Sequence, residues 1–322
     1  MLEMSWGKPF LIAASIAWGA LIVLWPLGSN LVSSRFDARQ LIYGQSLYKS
    51  SLTSAGFGML GANFYESNEG TKRWNIRSQF AELHRKENYA FMQEVDAEFY
   101  ANHTGNTVLT KSDYGRSYLD KNLVDLDGKV LIQSKRGYRF TMEHLTYHGD
   151  QHYFDSKDQV LMKGPVAEAP TMQLRGTGMW ADIDHEHFLM KHRVSALRRL
   201  KTNEWLHTQS NTGEFFTDEQ HAIFRGAAHT VMPDIILDSD DLDLNIKDDT
   251  ESILAQGHVV LHNKDRLGHA EQAAIVVGTN RIELEGKARV DSKGNVITGD
   301  KITLYTDDDR VDVEQAEGRV KP

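Results

Sequence analysis

Apolar residues in this chain recur at every second position, in short runs that share one phrase: apolar, spacer, apolar, spacer, glycine, then the alternation again. The phrase reads Val124-x-Leu126-x-Gly128-x-Val130-x-Ile132, then Val160-x-Met162-x-Gly164-x-Val166, then Ala222-x-Phe224-x-Gly226-x-Ala228. It returns as Ile253-x-Ala255-x-Gly257-x-Val259-x-Leu261 and as Ile282-x-Leu284-x-Gly286-x-Ala288-x-Val290. A degenerate last copy surrounds Gly318, where Glu314 and Ala316 break the apolar rule. A period of two places alternate side chains on one face of a β-strand. Copies spaced by roughly thirty residues point to strands stacked along an axis rather than a closed globule. The other face carries Asp127, Lys129, Arg225, His229, Gln256, His258, Glu285, Lys287 and Arg289, and reads as the side turned to water.

Parity alone puts the repeated glycine on the inward face. A glycine inside a strand weakens it unless a bend, a bulge or a close approach needs the room. Two readings follow: a crease that lets the sheet curl into a V, and space for something that is not a side chain.

Between the phrases lie partner strands led by a glycine of their own: Gly137 before Phe140-x-Met142, Gly178 before Trp180, Gly268 before Ala270, and Gly299 before Ile302-x-Leu304. Earlier strands are expected at Trp74-x-Ile76, Val95-x-Ala97-x-Phe99 and Thr107-x-Leu109, separated by turn residues such as those at 102–106. Glu186 to Leu206 is ambiguous between helix and strand and reads as a junction between two modules. Residues 35–72, with Gly44, Gly56, Gly58 and Gly61, read as a connector.

The N-terminus changes the picture of where this sheet works. Phe10 to Leu27 is an apolar run of about the length a bilayer core requires, with Trp6 and Trp25 near its ends. It reads as one uncleaved membrane helix; a signal peptide cut between Ser29 and Ser34 is the other reading. Either exports the rest of the chain. A net charge of −9 argues against a nucleic-acid partner. The absence of cysteine rules out disulfides, thiolate catalysis and Cys-ligated zinc.

Candidate chemistry is sparse. His144, His148 and His152 recur at intervals of four, but Thr146, Tyr147 and Gly149 among them favour a strand end and turn over a helical zinc site. His185-Glu186-His187 lies near Asp182 and Asp184. The acidic run Asp238 to Asp243 lacks the glycine and distal glutamate of a calcium loop. Asp307-Asp308-Asp309 reads as a turn. No nucleotide-binding glycine loop, nucleophile elbow or inward pair of acids is present, so neither a cofactor nor a catalytic set is expected.

The layout resembles a known family. An N-terminal membrane segment, a glycine-rich connector, Trp74-x-Ile76 and Val95-x-Ala97-x-Phe99-Tyr100 are similar to LptC, the bitopic inner-membrane component of lipopolysaccharide export. Phe224-Arg225-Gly226, Ile235 to Leu244, Ala255-Gln256-Gly257-His258-Val259, Leu284-Glu285-Gly286-Lys287-Ala288 and Ile297-Thr298-Gly299-Asp300-Lys301-Ile302 resemble the LptA/OstA-like domain. The resemblance implies an all-β protein, an elongated twisted antiparallel β-jellyroll open as a V-shaped trough behind one transmembrane helix. The divisions are 1–34 anchor, 35–72 connector, 73–200 LptC-like module and 205–322 LptA/OstA-like module.

The resemblance further implies a non-enzymatic conduit, single-pass in the inner membrane with its bulk in the periplasm. Lipopolysaccharide acyl chains would lie along Val124, Leu126, Val130, Ile132, Val160, Met162, Val166, Phe224, Ala228, Ile253, Ala255, Val259, Leu261, Ile282, Leu284, Ala288 and Val290. Implied partners are the transporter subunits LptB, LptF and LptG, and an LptA-like bridge protein or the LptD periplasmic domain joined by edge-strand pairing. The length departs from a typical LptC, as if an LptA-like module were fused behind it. A β-solenoid enzyme acting on envelope polysaccharide and a purely structural envelope spacer are the competing readings.

Overall fold

A computed structural model describes residues 57–68, 71–101, 106–165, 170–247, 250–308, 310–315 and 317–319. The expected anchor at 1–34, Val166 and Asp309 lie outside these residues. The described residues contain no helix, and so none long and apolar enough to cross a membrane. They form strands joined mostly by tight turns, as the period-two pattern requires.

Two compact units divide the chain. The first holds the described residues up to Ile132 together with Glu143–His152. Its strands are β1 (Phe57–Asn68), β2 (Thr71–His84), β3 (Tyr89–Tyr100), β4 (Thr107–Tyr118) and β5 (Leu123–Gln133), with most of β6 (Arg139–His148). β1 through β4 pair in sequence order, all antiparallel. The stretch expected as a connector therefore differs from expectation: Phe57–Asn68 is a full strand hydrogen-bonded along β2, with Phe64 and Ala62 buried. Its glycines concealed an alternation, Ala62, Phe64 and Glu66, that is inward all the same.

The second unit holds Gln133–Met142 and the described residues from Tyr153 onward. It begins with β7 (Tyr153–Gly164), β8 (Met172–Asp182) and β9 (His187–Arg199). β9 pairs with two short strands in turn, β10 (Trp205–Ser210) and β11 (Thr212–Phe216), and both pair onward with β12 (His221–Met232). They act as one long strand interrupted at Asn211, whose N–H donates to the Gly226 carbonyl at 2.9 Å. The ambiguous segment Glu186 to Leu206 thus resolves as strand, because Phe188, Met190, Val194 and Ala196 supply a buried face at period two. An antiparallel meander follows: β13 (Ile235–Lys247), β14 (Thr250–Asn263), β15 (Arg266–Val276), β16 (Arg281–Ser292) and β17 (Asn295–Tyr305). β17 pairs with β18 (Val311–Glu314) and then β19 (Glu317–Arg319), so the chain breaks where the sixth phrase breaks.

The repeated glycine does something that parity alone did not show. Gly128, Gly226, Gly257 and Gly286 have φ between +77° and +80°, and the residues after them, Lys129, Ala227, His258 and Lys287, are left-handed too. The pairs at Gly226, Gly257 and Gly286 are β-bulges. In β14, Gly257 and His258 occupy the space that β15 fills with Glu271 alone, since Gln256 pairs with Gln272 and Val259 with Ala270. Ala255 and Val259, four residues apart, both point inward while Gly257 is not buried, and β15 absorbs the offset, its buried Gly268 and Ala273 lying five apart. A Cβ on Gly257 would sit 2.3 Å from the Asp240 carboxylate, and one on Gly286 would sit 2.8 Å from Glu271. The crease reading holds, since a bulge bends its strand and adds twist. The space is filled by a polar side chain of the preceding strand. Gly164 is a different case: its backbone is ordinary, and Tyr138 packs where its side chain would be.

Candidate functional site: the apolar interior

In the first unit, Val124, Leu126, Val130 and Ile132 are at most 4% exposed. They belong to an interior with Ile76, Met92, Val95, Phe99 and Tyr147, in which the Phe99 and Tyr147 rings lie 4.4 Å apart. Gly115 lets Val95, Met92 and Leu126 close over it.

In the second unit Val160, Met162, Phe224, Ala228, Ile253, Ala255, Val259, Leu261, Ile282, Leu284, Ala288 and Val290 are all buried. The trough expected to stand open has its apolar face closed over itself within each unit. An apolar wall left in water would cost about 25 cal/mol for each Å², and curling the sheet at the bulges removes that cost. Any occupant of this interior must displace these contacts.

The pattern also left out residues that build the interior. Phe188 on β9 stacks on Phe215 of β11 at 4.7 Å, while Phe140 and Phe224 meet them edge-on at 5.1 and 5.6 Å. Phe188 lies in the segment read as ambiguous, whereas Phe215 lies in Gly213 to Ile223, a stretch whose sequence fits the same two-strand plan though Phe215 was not singled out as inward. Thr208 and Thr230 are fully buried, and their hydroxyls lie 3.1 Å apart, so each satisfies the other. Arg198 points inward as well, between Met172 and Leu206 on the neighbouring strands. The alternation Val194, Ala196, Arg198, Leu200 could have shown this from sequence.

On the outer face of the second unit, Tyr153, Trp180, His187, Phe216 and His221 form a ladder of rings from strand to strand. His187 and Phe216 are parallel at 4.4 Å. Ring faces are spent on one another, which makes this a cross-strand pairing device. Trp180, on the strand expected behind Gly178, stands in this outer row; the inward side chain is its neighbour Met179.

The histidine and acidic clusters do not converge. His144 contacts Asp127 at 3.2 Å, whereas His152 is buried against Arg73. His185 takes Asp182 at 2.9 Å and His187 takes Glu214 at 3.0 Å. The Asp182 hydrogen bond holds the His185 pKa above the ordinary imidazole value. In the acidic run, Asp238, Asp240 and Asp243 each pair with a different histidine, His229, His258 and His221. Among the described residues no group of three metal-binding side chains assembles. Burial pushes the Glu66 carboxyl up, opposed by Trp74 and Arg73.

Bulged antiparallel strands with a polar outer face and an apolar interior define an all-β, β-jellyroll-like protein. Residues 56–199 match the model of the lipopolysaccharide-assembly, LptC-related family, and residues 207–310 match that of the LptA/(LptD N-terminal domain) LPS transport protein. The chain is an LptC-related domain followed by an LptA-like domain. It is also similar to the crystal structure of LptH, the LptA-homologous periplasmic component of the lipopolysaccharide transport device from Pseudomonas aeruginosa. That likeness has 18% identity over 36% of this chain and 95% of that one, with a TM-score of 0.35. No curated protein matches the chain significantly.

Proposed function

We propose that this protein is a non-enzymatic segment of the lipopolysaccharide export bridge. It is held at the inner membrane by residues 1–34 and passes acyl chains through the interiors of two modules, 73–200 and 205–322. The observation that carries this reading is the largely apolar inward face in both units, joined to family matches that span nearly all the described strands. Acyl chains suit such an interior because each buried methylene gains about 0.8 kcal/mol without any directional bond that would stop sliding. Energy would come from an ABC transporter of the LptB, LptF and LptG kind. Among the described residues β1 pairs only with β2, while β18 and β19 pair only with β17. Their outer edges suit strand addition by a transporter subunit at one end and by an LptA-like protein or LptD at the other.

A photo-crosslinking amino acid at Phe224 or Leu284, both buried, is expected to give lipopolysaccharide adducts in cells. The same probe at Leu254, 36% exposed on the opposite face, is expected to give none. Equal labelling at the three positions, or none, would remove the reading.

A further inference from the structure

A charged side chain interrupts the apolar alternation on the inward face of β9. Arg198 shares the inward face of β9 with Ala196, and its flanking partners Met172 and Leu206 are buried. It lines a cavity of about 110 Å³ whose walls include Tyr138, Met162, Met172, Phe188, Phe215 and Leu244. Thr171, Thr217 and Gln220 stand around the same cavity and give it a polar side.

The guanidinium is only partly used. Its Nη2 donates to Glu251 Oε1 at 3.0 Å, and the other Glu251 oxygen accepts the Lys201 N–H at 2.8 Å. Arg198 Nε is buried and has no hydrogen-bond partner among the described residues. A buried donor left unmade is costly, and a guanidinium presents its donors in a planar fork suited to phosphate. A cavity with mainly apolar walls, a polar side and a lining cation that keeps one donor unpaired is complementary to an amphiphile with an anionic head.

We propose that Arg198 is the anion-recognition residue of a subsite for a phosphate-headed alkyl chain, with Glu251 holding the guanidinium in place until the ligand arrives. The proposal rests on the lipid-conduit reading and adds to it a fixed point for the head group. The cavity is smaller than the roughly 150 Å³ apolar cavity that admits benzene, so it takes the first few carbons next to the head. The flexible side chains of Met162 and Met172 can yield to the carbons beyond them.

Decyl phosphate and decanol are the probes, measured by equilibrium dialysis against the full-length protein in amphipol, with amphipol alone as blank. Arg198→Met is expected to weaken decyl phosphate at least tenfold and to change decanol less than twofold. Glu251→Gln, which keeps Arg198 and removes its competing carboxylate, is expected to tighten decyl phosphate several-fold. Equal effects of Arg198→Met on both probes, or no effect, overturn the proposal. So does a Glu251→Gln variant that binds decyl phosphate no better. Inorganic phosphate competing at the same concentration as decyl phosphate would make this a simple phosphate site and also overturn it. Should Arg198→Met prove unfolded, the Glu251→Gln result decides alone. If these arms fail while adducts persist at Phe224 and Leu284, only the Arg198 assignment falls; if the adducts are absent in the unmodified protein, the conduit reading falls instead.

Discussion

Asp240 and His258 face each other across β13 and β14, with Asp240 Oδ2 2.7 Å from His258 Nδ1. Asp240 stands opposite two bulges at once, Gly226–Ala227 on one side and Gly257–His258 on the other. The device recurs: Lys287 reaches Glu271 at 2.7 Å, and Lys129 reaches Asp113 at 3.5 Å. After three of these left-handed glycines the next residue is thus a cationic or titratable group, and the preceding strand supplies an acid. These pairs are largely exposed and contribute little energy by themselves. The positional requirement lies in the glycine, which must be left-handed and must leave room for the acid.

Gly257→Ala is accordingly expected to lower stability by about 1–3 kcal/mol, combining the left-handed penalty with displacement of Asp240. Gly294→Ala is the control. Its φ is +85° but nothing lies within 4 Å of the added methyl, so only the backbone penalty of about 1 kcal/mol applies. Urea midpoints of the two variants read the difference, and Asp240→Ala in the Gly257→Ala background should recover part of the loss. Equal midpoints for the two single variants would contradict the role given to Asp240.

Tyr100 supplies a pH test. Burial, and then its 2.6 Å hydrogen bond to Glu98, push its phenol up to about 12. The folded value lies above the unfolded one of about 10. Its contribution to stability is therefore complete below pH 10 and is lost as the pH rises through 12. Ultraviolet titration should show one tyrosinate forming late, and Glu98→Gln should bring it forward. The carboxyl of Glu283 runs the other way. Lys301 holds it below its ordinary value, so its contribution is present above that value and fades as the pH falls through the folded one.

The Thr208–Thr230 pair tests how polar groups are tolerated inside. Thr230→Val leaves the fully buried Thr208 hydroxyl without its partner, which should cost about 1–3 kcal/mol. The double variant Thr208→Val/Thr230→Val should recover most of that loss, because two apolar groups of similar shape replace the pair. Chemical denaturation of both single variants and the double variant closes the cycle.

Leu284→Ala and Leu254→Ala separate inside from outside on β16 and β14, the two strands that flank β15. Leu284 is 0% exposed, so its truncation should cost about 2–5 kcal/mol. Leu254 is 36% exposed, and its truncation should change stability by no more than about 0.5 kcal/mol. The same denaturation curves measure both, and similar losses would contradict the inward assignment.

Much of the interior was legible beforehand because a strand writes its buried face every second residue. Ile253, Ala255, Val259 and Leu261 follow that rule across a bulge, because they stay an even number of residues apart and the partner strand takes up the offset. Phe215 and Arg198 were less visible. Phe215 sits on a strand too short to display a period, and Arg198 is a charge at an inward position, where the pattern anticipates none. The Tyr153–Trp180–His187–Phe216–His221 ladder was hidden for another reason. Its rings are far apart in sequence and meet only through register.

The alternation by itself determined that this chain forms strands with one apolar face, because successive side chains along a strand point to opposite sides. It also marked the glycines as places where the strand must do something other than continue. Tertiary structure decided what that is. Only when the neighbouring strand brings Asp240 or Glu271 alongside does the glycine become a bulge with a filled corner, and only when the sheet curls does the apolar face bury itself. Register, curvature and closure arise from contacts between strands, so none of them is written in a single strand's pattern.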